Sequence, residues 1–163
     1  MGFLWCFKRL WFKSPSGRKR FNILGALNAV TLEVITVCNF DYINSWSVIE
    51  LLFKLRKIKK KRTSLILDNA SYQRSWLVQH LAKLMRIDLV FLPSYSPNLN
   101  LIERLWKFVR KQCCHSIPYE TFEAFSEAIQ HCVEQGHDLH KDELRSLLTW
   151  NFQTLKTPEK LAA

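Results

Sequence analysis

Apolar and polar positions divide the chain into three blocks with different rhythms. In the first, Phe3–Phe7 and Leu10–Phe12 are short aromatic runs and Ser14-Pro15-Ser16-Gly17 is a turn cluster. Phe21–Val30 and Leu32–Asn39 follow, rich in Ile, Val and Thr, with a break near Asn28–Ala29. β-branched runs bounded by turn residues read as strands, so this block predicts an antiparallel meander. In the second block, Val48, Ile49, Leu52, Phe53 and Leu55 recur at helical spacing within Ser45–Ile58. Ser64–Asp68 is a short apolar run ending in a carboxylate; Leu77, Val78, Leu81, Leu84 and Met85 make a second helical face; Asp88–Leu92 is an apolar run stopped by Pro93. Strand, helix and strand within about 30 residues predict a βαβ unit, its parallel strands buried on both faces. The third block is helical. Leu101–Cys113 puts Ile102, Leu105, Trp106, Val109 and Cys113 on one face, Tyr119–Glu134 carries Phe122, Phe125, Ile129 and Val133, and His140–Trp150 carries Leu144, Leu147 and Leu148.

Composition narrows the class. The 163 residues are 48% hydrophobic with only four Gly, which excludes disordered, collagen-like and linker classes. Charge is lopsided: residues 1–62 hold 13 Lys/Arg against 3 Asp/Glu, a net +10, while residues 63–163 hold 11 of each. Such an excess predicts a polyanionic partner, nucleic acid before membrane. The odd set of five cysteines, Cys6, Cys38, Cys113, Cys114 and Cys132, contains no C-x-x-C pair and fits a reducing compartment. No apolar run approaches the roughly 18–20 residues of a membrane span, so a soluble cytoplasmic protein is expected.

Two carboxylates stand out. Asp68 ends an apolar strand of a parallel pair, the edge of an α/β sheet where ligands bind, and could hold a divalent cation. The competing reading is that Asp68 or Asn69 caps the helix beginning near Ser71. Glu103 sits three residues after Asn100, as in a capping box, and four before Lys107, as in an i,i+4 ion pair. It also lies about 100° around the helix from the apolar face, at the rim of the core, where the positive helix end favours its ionised form.

The words around these two acids decide between the readings. Ile66-Leu-Asp-Asn-Ala70, followed by Phe91-Leu-Pro-Ser-Tyr-Ser-Pro-Asn-Leu-Asn-Leu-Ile-Glu-Arg-Leu-Trp106, closely resembles insertion-sequence transposases of the Tc/mariner superfamily. Pro93, Tyr95, Ser96, Pro97, Leu99, Asn100, Ile102, Glu103 and Trp106 stand where that pattern wants them, and Asn22–Leu27 looks like the family's third strand. The resemblance spans roughly residues 3–150. It implies a ribonuclease H-like α/β fold, a mixed sheet flanked by helices with a helical C-terminal part, over a catalytic domain at 1–150 and a tail at 151–163. It implies DDE-type DNA strand transfer with Mg2+ or Mn2+ on Asp68 and Glu103, which 34 residues separate. The implied partners are double-stranded DNA, as transposon ends and target, and a second copy of the chain, on the nucleoid of a bacterial cytoplasm.

The pattern departs from the family in places. The first of the three family acids, and the strand that carries it, are expected to be missing. Asp41 follows the meander and makes a poor substitute. Leu101 replaces a Pro at the first helical position, and Gln73 stands where many relatives have His. A decayed fragment, one half of a frameshifted transposase and a non-catalytic DNA-binding remnant all remain open. For phosphate contacts the candidates are Arg56, Lys57, Lys59, Lys60, Lys61 and Arg62, and on the Glu103 helix Lys107, Arg110 and Lys111. Lys8, Arg9, Lys13, Arg18, Lys19 and Arg20, interleaved with Trp5, Trp11 and Phe12, suit nucleic acid or a surface strand equally. Cys113, Cys114, His115, His131, Cys132, His137 and His140 match no standard zinc spacing, and core packing explains them better.

Overall fold

The computed structural model describes residues 19–94, 96–115 and 117–152. The aromatic runs and turn cluster expected before residue 18 lie outside them, as does the tail from residue 153. The described residues form four strands and five helices: β1 Asn22–Leu27, β2 Val34–Asn39, α1 Ser45–Ile58, β3 Thr63–Leu67, α2 Trp76–Leu84, β4 Ile87–Phe91, α3 Leu101–Cys113, α4 Phe122–Leu139 and α5 Lys141–Leu147.

β1 and β2 form the expected antiparallel hairpin, with Asn22 opposite Asn39 and Leu27 opposite Val34. The break falls at Asn28, whose side-chain oxygen accepts from the Val30 and Thr31 amides at 3.0 and 3.2 Å and so closes a local turn in place of the ladder. α1 has the bounds its periodicity predicts. Asn44 caps it by accepting from the Trp46 and Ser47 amides, and Ser47 Oγ accepts the Asn44 N–H in return. β3 and β4 pair in parallel around α2, in register from Thr63–Ile87 to Leu67–Phe91.

The helices make the hairpin the middle of three layers. On one side Leu24, Ala26, Ile35 and Val37 face α1. On the other, Ile23, Leu27 and Val34 pack against Leu105, Phe108, Val109, Val133 and Leu144 of α3–α5. Gly25 sits where α3 crosses β1: a Cβ there would lie 3.0 Å from the Trp106 ring. The parallel pair is covered on one side only. Leu65, Ile87 and Leu89 join the α1–α2 core, whereas Ile66 and Val90 are 49% and 46% exposed. Burial on both faces is therefore corrected: α3–α5 pack against the hairpin and leave the outer face of β3–β4 open. The mixed sheet is likewise divided into two two-stranded sheets. A cleft of about 900 Å3 lies between them, lined by successive residues of β1 (Ile23–Leu27) and β3 (Thr63–Leu67).

The C-terminal helices differ from expectation in detail. α4 runs on to Leu139, five residues past the expected end at Glu134, with Gly136 buried inside it. α5 ends at Leu147, and Phe108 joins the buried face of α3, where the periodicity favoured Ile102 and Trp106. No helix among the described residues is long and apolar enough to cross a membrane.

Candidate active site

Asp68 follows the last residue of β3, at the carboxyl end of the parallel pair. Two devices turn the chain there. The Leu92 N–H donates to the Leu67 carbonyl at 2.8 Å, extending the ladder past β4, and Asn69 adopts φ 77°, a left-handed conformation that Asn tolerates better than most residues. Asn69 Nδ2 donates to Ser94 Oγ at 3.4 Å, tying together the two loops that leave the parallel strands. Its Oδ1 is buried without a partner.

Asp68 caps no helix. The short 3₁₀ turn Ser71–Arg74 begins after Ala70 without a side-chain cap, and α2 is capped by Ser75, whose Oγ accepts from the Val78 N–H at 3.4 Å. Gln73 is buried and structural, its Oε1 accepting the Ala70 N–H at 3.0 Å. Tyr72 lies beside the acid; burial first, and the Asp68 charge second, hold its hydroxyl above the ordinary phenol range.

Glu103 occupies the first turn of α3, half-buried. Asn100 is the N-cap, accepting the Ile102 N–H through its side-chain oxygen at 3.3 Å and the Glu103 N–H through its carbonyl at 3.2 Å. The Glu103 carboxylate does not complete the box, and it makes no ion pair with Lys107. Instead, Asn100 turns its Nδ2 to Asp68 Oδ1 and donates a hydrogen bond to it. One side chain thus joins the β3 end to the start of α3, and both acids line the cleft between the sheets. Sequence reasoning identified the capping half of Asn100 and missed the half that reaches Asp68. The signal was its place three residues before the acid.

Carboxylate oxygens are hard donors of the kind magnesium and manganese prefer, so the donor set fits a divalent cation. Among the described residues no group of three or more His, Cys, Asp or Glu comes together as a metal site. Asp41 lies elsewhere, with Lys19, Arg20, Phe40 and Phe122 at the far end of the hairpin.

The basic candidates fall into two sets. Arg56 is committed to the end of α1, its guanidinium donating to the carbonyls of Lys59 and Lys60. Lys59 pairs with Glu33 at 3.5 Å, Lys111 with Glu143 at 3.6 Å, and Arg62 with Asp88 through two bonds of 2.7 and 3.1 Å. Lys57, Lys60, Lys61, Lys107 and Arg110 are exposed, and no acid among the described residues pairs with their side chains. The Arg56–Arg62 run precedes β3, so it sits at the opposite end of that strand from Asp68, roughly 17 Å away at strand rise. Lys19 pairs with Glu123, and Arg20 lies over the Tyr42 ring. Cys113 is part of the core, and burial and its Cys113 neighbour push the Cys132 thiol up to about 12.

A carboxylate at the end of a parallel strand and another at a helix start, held together at the mouth of one cleft, belong to a mixed α/β fold of the ribonuclease H-like kind. In a solved structure of the simian T-cell lymphotropic virus intasome in complex with the PP2A regulatory subunit B56 gamma, one chain superposes on this one with a TM-score of 0.53 at 17% identity. The match covers 74% of this chain and 44% of that one, so this chain spans less than half of its length. A model of the DDE superfamily endonuclease domain matches residues 8–126, and the chain belongs to that family. No curated protein matches it significantly.

Proposed function

We propose that the chain is the catalytic part of an insertion-sequence transposase of the Tc/mariner type, which cuts DNA at transposon ends and joins them to a target. The observation that carries this reading is Glu103. Its carboxylate, half-buried in the first turn of α3, has neither hydrogen bond nor ion pair among the described residues and so is free to take a ligand, and Asn100, which caps its helix, reaches a second carboxylate in the same cleft.

In this reading Asp68 and Glu103 hold divalent metal. A magnesium or manganese pair, when bound, activates water or a 3′-hydroxyl and stabilises the departing oxygen of an in-line phosphoryl displacement. The protein's own contributions are positional. Asn100 fixes the Asp68 carboxylate by donating a hydrogen bond to it, and the first turn of α3 sets the Glu103 carboxylate in the same cleft. Lys57, Lys60, Lys61, Lys107 and Arg110 neutralise phosphates without reading bases. The first family acid enters on a strand seated between β1 and β3, whose facing edges have no described partner.

The test supplies that strand, fused ahead of residue 1 and bearing an Asp, and measures nicking of terminal-repeat DNA. Magnesium-dependent nicking that Asp68→Asn or Glu103→Gln abolishes is expected. Undiminished activity in those variants overturns the assignment. Salt-sensitive duplex binding without any cleavage favours the non-catalytic DNA-binding reading instead.

A further inference from the structure

Arg104, next to Glu103 on α3, points to a feature that the two acids do not explain. Its guanidinium donates to three alternate carbonyls of the segment after α5: Leu147 at 3.3 Å, Thr149 at 2.8 Å and Asn151 at 2.7 Å. It also lies 5.5 Å from the Phe152 ring centre. A planar five-donor fork suits such a clamp, and a lysine could not reproduce it.

The clamp holds the backbone on both sides of Trp150, yet the Trp150 side chain is 62% exposed. Its indole meets Phe152 edge-on, with ring centres 6.4 Å apart. Both rings line the cleft that Asp68 and Glu103 line. A large apolar ring held open to water in the cleft that two carboxylates also line loses the burial that ordinarily stabilises it, while its fixed backbone spares a ligand the cost of ordering it.

We propose that Trp150, braced by Phe152 and positioned by Arg104, is a stacking platform for an unpaired nucleotide base at the DNA end entering the cleft. The inference rests on the DNA reading of the same site. A paired base keeps its faces inside the duplex, so only an unpaired or extruded base can present one to the indole. The ligand is flat and apolar on its face, and its phosphate is anionic. The indole meets the first property, and Lys107 and Arg110, exposed on the helix that bears Glu103 and paired with no described acid, meet the second.

The test is fluorescence anisotropy at low salt with three labelled DNAs: a blunt duplex, the same duplex with three unpaired nucleotides at one 3′ end, and that overhang made abasic. The wild-type chain is expected to bind the overhang DNA about 5- to 100-fold more tightly than the other two. Trp150→Ala brings the overhang to the level of the blunt duplex, and Trp150→Phe keeps most of the preference. Arg104→Lys weakens the preference although its charge is kept. Equal binding of all three by the wild type, or a preference that survives Trp150→Ala, overturns the stacking role while leaving the DNA reading in place. Failure to bind any duplex overturns both.

Discussion

Asn100 offers a way to separate folding from chemistry at the site. Its side chain performs two tasks, capping α3 through its oxygen and donating to Asp68 through its nitrogen. Asn100→Ala removes both. Loss of an N-cap costs about 0.5–2 kcal/mol, and the lost bond to the exposed Asp68 adds up to about 1 kcal/mol once solvent screening is allowed for. Asn100→Ser keeps a good cap, but its hydroxyl is too short to span to Asp68. Its unfolding free energy should stay within about 0.5 kcal/mol of wild type. Partners that orient a metal-binding carboxylate typically contribute about 10- to 100-fold in metal affinity, so both variants should bind Mn2+ about that much more weakly. Urea unfolding followed by far-UV circular dichroism reads the first quantity, at unchanged m-value, and water-proton relaxation in an Mn2+ titration reads the second. Wild-type Mn2+ affinity in Asn100→Ser would refute the claim that Asn100 orients Asp68. Equal stability of Asn100→Ala and wild type would refute the cap.

Other outcomes follow from the same structure. Gly25→Ala puts a methyl 3.0 Å from the Trp106 ring and 3.2 Å from Ile102 Cδ1, a clash expected to destabilise the fold by about 1–3 kcal/mol; an unchanged urea midpoint would show that α3 yields without cost. Replacing Lys57, Lys60 and Lys61 by Gln should weaken duplex binding at all sequences and flatten the log–log salt dependence by about 2.7, at about 0.9 for each phosphate no longer neutralised; an unaltered slope removes these residues from the interface. The Arg62 hydrogen bond holds Asp88 below its ordinary value of 3.8, so the pair's contribution is present above that pH and is lost as pH falls through the lower folded value. A carboxyl NMR titration should put the Asp88 midpoint below 3.8, moving back towards it in Arg62→Gln; a midpoint at or above 3.8 in the wild type refutes the pairing.

The legible parts of the fold were those written in local pattern. α1 has the bounds its apolar spacing predicts, and β3, α2 and β4 fall on the runs that suggested a parallel unit. What periodicity could not convey was which layer covers which strand. Ile66 and Val90 look like core in an apolar run, yet the covering helices pack on the hairpin instead. The helix expected over Tyr119–Glu134 runs to Leu139, because the buried Gly136 is unfavourable in an isolated helix but sits here within one that tertiary packing holds. The words around Asp68 and Glu103 singled out two acids that the structure sets in one cleft, while the bond from Asn100 to Asp68 and the reach of Arg104 to residues 147–151 join positions more than 30 apart and leave no periodic trace.

The central claim is that Asp68 and Glu103 form one divalent-metal site. Mn2+ binding measured by electron paramagnetic resonance on the wild-type chain, Asp68→Asn, Glu103→Gln and the double variant tests it most directly. The account predicts saturable binding in the wild type, its loss in each single variant and no further loss in the double. Binding that persists unchanged in both single variants would contradict it.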